Sequence, residues 1–85
     1  MLIAYILATC APGQEKEAIS KIKDIKNVVE VNGIMGRYDI FVKVSAIEDL
    51  DLHATITSIR DVTSITSTAT FTAIYGQGGS VDDKE

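Results

Sequence analysis

Eighty-five residues allow one domain, and a chain this short buries only roughly 60% of its unfolded surface on folding, so its core is small. One cysteine, Cys10, and one histidine, His53, exclude a disulfide framework and a structural zinc site. A net charge of -4, with eight basic residues scattered among twelve acidic ones, argues against a nucleic-acid surface, which draws on clustered Lys and Arg. With 46% hydrophobic residues and no other staple available, self-association is the remaining source of stability.

Residues 1–9 are almost continuously apolar, and Leu2, Ile3, Ile6 and Leu7 place bulky side chains on both parities, as in a strand covered on both faces. Ala11-Pro12-Gly13 stops that strand. Residues 14–25 carry Ala18, Ile19, Ile22 and Ile25 at helical spacing with charges between them, which predicts an amphipathic helix. Its Lys16, Lys21, Lys23 and Lys26 read as a solvated face. Lys26 and Asn27 suit the helix end, and Val28, Val29, Val31 and Ile34 form a second strand interrupted by Gly33 and Gly36.

Residues 38–44 predict the third strand, with Tyr38, Ile40, Val42 and Val44 on one face and Asp39, Phe41 and Lys43 on the other. Ser45-Ala46-Ile47-Glu48 has the spacing of a capping box, so a second helix is expected over about 46–60, with Leu52, Ile56 and Ile59, and Leu50 nearby, as its buried stripe. Residues 65–75 read as a threonine-rich fourth strand and 76–85 as a flexible acidic tail. No apolar run approaches the ~20 residues needed to cross a bilayer and no signal-peptide pattern is present, so a soluble cytoplasmic protein with no membrane partner is expected.

The two halves echo each other at an offset of 34: Ile22, Ile25, Lys26, Asn27, Val28 and Val31 fall on Ile56, Ile59, Arg60, Asp61, Val62 and Ile65. The unit is strand, helix, strand. Two such units in series give the α+β ferredoxin-like arrangement, βαββαβ, a four-stranded antiparallel sheet with both helices on one face. Two helices cover one face only, whereas the first strand is apolar on both and Phe41 lies on the second. A second sheet from an identical subunit is the simplest cover, which implies a homodimer with a two-sheet core or dimeric α/β barrel.

Several features carry a resemblance to a known family. They are Ala4-Tyr5-Ile6-Leu7 in the first strand, Pro12-Gly13 before the first helix, and Val28 and Val31 after it. Gly36-Arg37-Tyr38-Asp39-Ile40 follows, then Ile59-Arg60 and Val62 leading into the strand of Thr66, Thr68 and Thr70. In this order they resemble the ligand-binding and oligomerisation module, or RAM domain, of the Lrp/AsnC transcription regulators, over residues 1–75. Most members of that family carry an N-terminal helix-turn-helix; this chain starts on the first strand of the module, so the resemblance is to a stand-alone form without direct nucleic-acid contact. The resemblance further implies dimers that assemble into higher oligomers, often rings of four dimers resembling an octamer, with amino acids or related small effectors bound between dimers.

For such an effector, Asp39 can take the ammonium, and the backbone N–H groups around Gly36 and Arg37 the carboxylate. Arg37 is a second candidate for the carboxylate, or for pairing with an acidic group across an interface, and Tyr38 reads either as a packing residue or as a ligand contact. Thr66, Thr68 and Thr70 are expected on one face of the fourth strand, where their hydroxyls could reach an effector on a neighbouring subunit; threonine also simply favours strands. Beside the ligand reading, Asp39 reads as the capping residue of a hairpin turn. His53 is expected as a half-buried packing residue and Cys10 as a structural thiol. No catalytic constellation, metal cluster or phosphate loop emerges, and Gly76-Gln77-Gly78-Gly79 has no helix after it, so neither enzymatic activity nor a cofactor is expected. Two other readings stay open: a small dimeric α+β barrel enzyme, and a purely structural partner subunit of a full-length Lrp/AsnC regulator.

Overall fold

The computed structural model describes residues 1–79; residues 80–85, the end of the expected acidic tail, lie outside the described residues. The elements run β1 (Leu2–Cys10), α1 (Glu15–Lys23), β2 (Val28–Gly33), β3 (Ile40–Ala46), α2 (Asp49–Arg60) and β4 (Ile65–Thr72), the expected βαββαβ order. The strands form one antiparallel sheet in the order β2-β3-β1-β4.

Gly13, with φ of +82°, supplies the left-handed turn that reverses the chain after β1, and Gln14 N–H donates to the Ala11 carbonyl at 3.0 Å. Helix α1 then places Glu15 and Glu17 in its first turn and Lys21 and Lys23 in its last, each beside the helix end of opposite partial charge. Its buried residues Ala18 and Ile22 are four apart and face the sheet. It lies so close over β2 that a Cβ at Gly33 would meet Ile19 Cδ1 at 3.4 Å.

The second helix starts later than the capping box predicts. Ser45 is drawn into β3, opposite Ile3, so it cannot turn back to cap a helix. Glu48 occupies the N-cap in an extended conformation with no side-chain cap, and Leu52 N–H to the Glu48 carbonyl at 3.0 Å opens the helix. Leu52 and Ile59 are buried and Ile56 half-buried, but Leu50 is 80% exposed. His53 is exposed as well, which corrects its reading as a packing residue.

The His53 correction traces to the repeat. Between the two helices and their exits the structural offset is 37, not 34. Ala18 and Thr55 are both buried, as are Ile22 and Ile59. The two helix exits also share a hydrogen-bond scheme, Ile25 N–H to Ile22 O and Val28 N–H to Ile25 O in one half, Val62 N–H to Ile59 O and Ile65 N–H to Val62 O in the other. At the true offset His53 corresponds to Lys16, an exposed position.

On the helix-bearing face Ala4, Ile6, Ala8, Ile40, Val42 and Val44 are fully buried and pack with Ala18, Ile22 and Ile59 into the core. The connection between α1 and β2 is pinned to α2 by polar bonds: Asn27, with φ of +75°, donates from Nδ2 to Thr55 Oγ1 at 3.2 Å, and Thr55 donates to the Lys26 carbonyl at 3.1 Å. Opposite register partners share a face, so the other side of the sheet carries Glu30 and Asn32 on β2, Phe41 and Lys43 on β3, Ile3, Tyr5, Leu7 and Thr9 on β1, and Ser67, Ala69 and Phe71 on β4. Tyr5 and Phe41 stack there with ring centroids 6.1 Å apart. No element of the described chain covers this side.

Candidate functional site

The Gly36-Arg37-Tyr38-Asp39 segment lies between β2 and β3, at the end of the sheet where β1 finishes. Gly36 has φ of +146°, in the region that disfavours a side chain, and Met35, Gly36 and Arg37 are all exposed. Tyr38 and Asp39 are half-buried. Both precede β3 rather than lying in it, because Asp39 is used differently. Its N–H donates to the Ala8 carbonyl at 2.9 Å, its carbonyl accepts from Ile34 N–H at 2.9 Å, and its Oδ2 accepts from Cys10 N–H at 3.1 Å. The carboxylate therefore ties the loop to the last residue of β1. Among the described residues Oδ1 has no partner.

Cys10 is buried with its thiol in the core. Burial pushes its pKa up from the usual value, and the nearby Glu15 and Asp39 carboxylates push in the same direction. That environment suits a structural thiol and opposes a nucleophile, which needs the thiolate.

The three threonines do not share a face. The β1–β4 register shifts between Thr9 and Cys10, so Thr66 falls at the irregularity and turns to Thr9, whose Oγ1 lies 2.7 Å from Thr66 Oγ1 and 2.6 Å from Ser67 Oγ. Thr68 and Thr70 instead lie opposite Ala8 and Ile6, on the helix-bearing side. Of the three, only Thr66 belongs with Thr9 and Cys10, the segment that also receives Asp39. Sequence reasoning missed Thr9 and Ser67. Their polarity at the end of an apolar strand and beside it was the available signal.

One end of the sheet thus gathers a carboxylate with a free oxygen, exposed backbone at Gly36 and Arg37, and three linked hydroxyls. Three hydroxyls carry three protons, and the two bonds within the cluster use two, so one donor always points outward along with spare lone pairs. The set can bind a small polar molecule carrying both an ammonium and acceptor oxygens. Among the described residues no group of three His, Cys, Asp or Glu side chains could hold a metal ion. A groove of about 860 Å³ lies at the opposite end of the sheet, between Leu2, Tyr5, Leu52 and Tyr75. No helix of the described chain is long and apolar enough to cross a membrane.

The fold is a ferredoxin-like α+β module, two helices on one four-stranded antiparallel sheet. Residues 3–75 match the Lrp/AsnC ligand binding domain, and the chain belongs to that family, a regulatory effector-binding module of transcription regulators. Hypothetical protein PHS023 from Pyrococcus horikoshii is 37% identical, with a TM-score of 0.81 over 87% of this chain and 90% of its own. FFRP-DM1 is also 37% identical, with a TM-score of 0.82 over 87% of this chain and 100% of its own. The Neisseria meningitidis transcriptional regulator NMB0573, solved as an L-Met complex, shares the fold at 10% identity, with a TM-score of 0.76 over 94% of this chain and 54% of its own length. No curated protein matches the chain in sequence.

Proposed function

We propose that this protein is a cytoplasmic, non-enzymatic sensor that binds an amino acid or related metabolite between subunits and changes its assembly or its choice of partner, such as a full-length Lrp/AsnC regulator. The observation that carries this reading is the Asp39 carboxylate, held by Cys10 N–H through one oxygen and open at the other beside the exposed Gly36 backbone. Asp39 takes the ligand ammonium. The N–H groups of Gly36 and Arg37, with the Arg37 guanidinium, take the carboxylate; Tyr38 packs against the ligand and Thr66 offers a hydroxyl from the same end of the sheet. Thr68 and Thr70, on the helix-bearing side, have no part in this site. The L-Met complex of the Neisseria meningitidis regulator supports an amino acid as the ligand class.

The uncovered sheet side supports a homodimer as the basal state, with the two open faces packed together and larger rings built from such dimers. A ligand shifts an assembly equilibrium only by its difference in affinity for the two states, so a site between subunits is where binding and assembly couple. The test is a thermal-shift screen of the twenty amino acids, read together with molar mass by light scattering. A selective rise in Tm of a few degrees that is lost in Asp39→Asn supports the reading, because Asn keeps an acceptor for Cys10 N–H and removes the charge. A hit unaffected by Asp39→Asn, or no response to any amino acid from a folded oligomer, contradicts it.

A further inference from the structure

The chain carries three sulfur atoms, in Met1, Cys10 and Met35, and the fold treats each differently. The Cys10 thiol is buried, and burial with the nearby carboxylates holds it protonated, the form that resists oxidation. Met1 precedes β1, where the Ser45 hydroxyl donates to its sulfur at 3.7 Å and engages a lone pair. Met35 is 100% exposed, so nothing among the described residues shields its sulfur. Its place in the turn gives that exposure a consequence. Met35 directly precedes Gly36 and Arg37, whose backbone N–H groups make no backbone hydrogen bond among the described residues and are the donors proposed for an effector carboxylate.

We propose that Met35 is a modification site, oxidised to the sulfoxide by oxidants of the peroxide class, and that the modified side chain blocks the effector turn. The first half rests on exposure alone; the second rests on the effector site proposed above. A lone pair of the thioether sulfur attacks one peroxide oxygen, an S–O bond forms as the O–O bond breaks, sulfur is oxidised by two electrons, and the other oxygen leaves as water. The sulfoxide oxygen stands as many bonds from Cα as the side-chain oxygen of glutamine. From residue 35 it accepts from the N–H groups of Gly36 and Arg37, as the side chains of turn residues accept from backbone N–H groups just after them. An effector carboxylate then has to displace an acceptor that is already tethered beside its donors. Methionine sulfoxide reductases restore the thioether, so the block is reversible.

The test treats the folded full-length chain with hydrogen peroxide, removed before any reading. Trypsin leaves Met35 alone in the peptide 27–37, apart from Met1 and Cys10 in 1–16. Mass spectrometry is expected to find one added oxygen on 27–37 before 1–16 gains any, and to find it lost again after treatment with a methionine sulfoxide reductase. Hydrogen exchange at Gly36 and Arg37 slows in the oxidised protein. With L-Met as the probe, the rise in Tm disappears in oxidised wild type and persists in peroxide-treated Met35→Leu, which keeps the size and apolarity of the side chain without its sulfur. In Met35→Gln the rise is weakened without any oxidant. A 27–37 peptide that oxidises no sooner than 1–16, unchanged exchange at Gly36 and Arg37, or a Tm response that survives oxidation of Met35 overturns the proposal. L-Met that leaves even untreated wild type unmoved counts against L-Met as the effector, and the peptide and exchange readings still decide the fate of Met35.

Discussion

Along the same two central strands, the helix-bearing side presents Ala4, Ile6, Ala8, Val42 and Val44, all fully buried, and the opposite side presents Ile3, Tyr5, Leu7 and Phe41, all half-buried with no element of the described residues above them. The second set is the bulkier. The helices lie over small and β-branched residues that allow close approach, as at Gly33 and Ile19, while the large side chains are left for a surface that the described residues do not themselves supply. Burial within one copy is therefore the foundation of folding, and burial of the open side is the foundation of the assembly proposed above. Apolar surface left open at this density marks an interaction site in a protein whose single core is small.

That separation can be broken from either side. Ile22→Ala removes a fully buried side chain under the helix and costs about 2–5 kcal/mol, enough to unfold much of the population, and urea denaturation followed by circular dichroism measures it. Phe41→Lys acts on the other side: secondary structure persists, the molar mass falls by half or more, and light scattering reads the change. Thr55→Val is expected to cost about 1–3 kcal/mol, because it removes the donor to the Lys26 carbonyl and the acceptor for Asn27 in a buried setting, without changing the oligomer. Cys10 gives the smallest effect. Its thiol is neutral in both states below the unfolded value near 9.0, where stability does not depend on it. As pH rises through that value the unfolded chain loses the proton first, so stability falls until the raised folded pKa is passed. A series of denaturation midpoints between pH 7 and pH 11, flattened in Cys10→Ala, checks the sign.

The sequence makes the order of elements legible because β1 and β3 are long apolar runs and α1 has clean helical spacing. What it hides is register. Apolar residues three and four apart on a helix allow a repeat to be aligned one turn out, which is how an offset of 34 replaced the true 37 and moved His53 inward. A local capping signal at Ser45 and Glu48 lost to long-range pairing of Ser45 with Ile3. At the site, the glycine turn and Asp39 are visible in the sequence, but the bond from Cys10 N–H to Asp39 depends on two segments meeting, and the irregularity between Thr9 and Cys10 that splits Thr66 from Thr68 and Thr70 leaves no mark in the residue pattern.

The most direct measurement is the molar mass of the wild-type protein by light scattering at micromolar concentration. The account predicts an even multiple of the 9.2 kDa chain, reduced by half or more in Phe41→Lys. A folded monomer of 9.2 kDa, with Tyr5, Leu7 and Phe41 stably facing water, would contradict it.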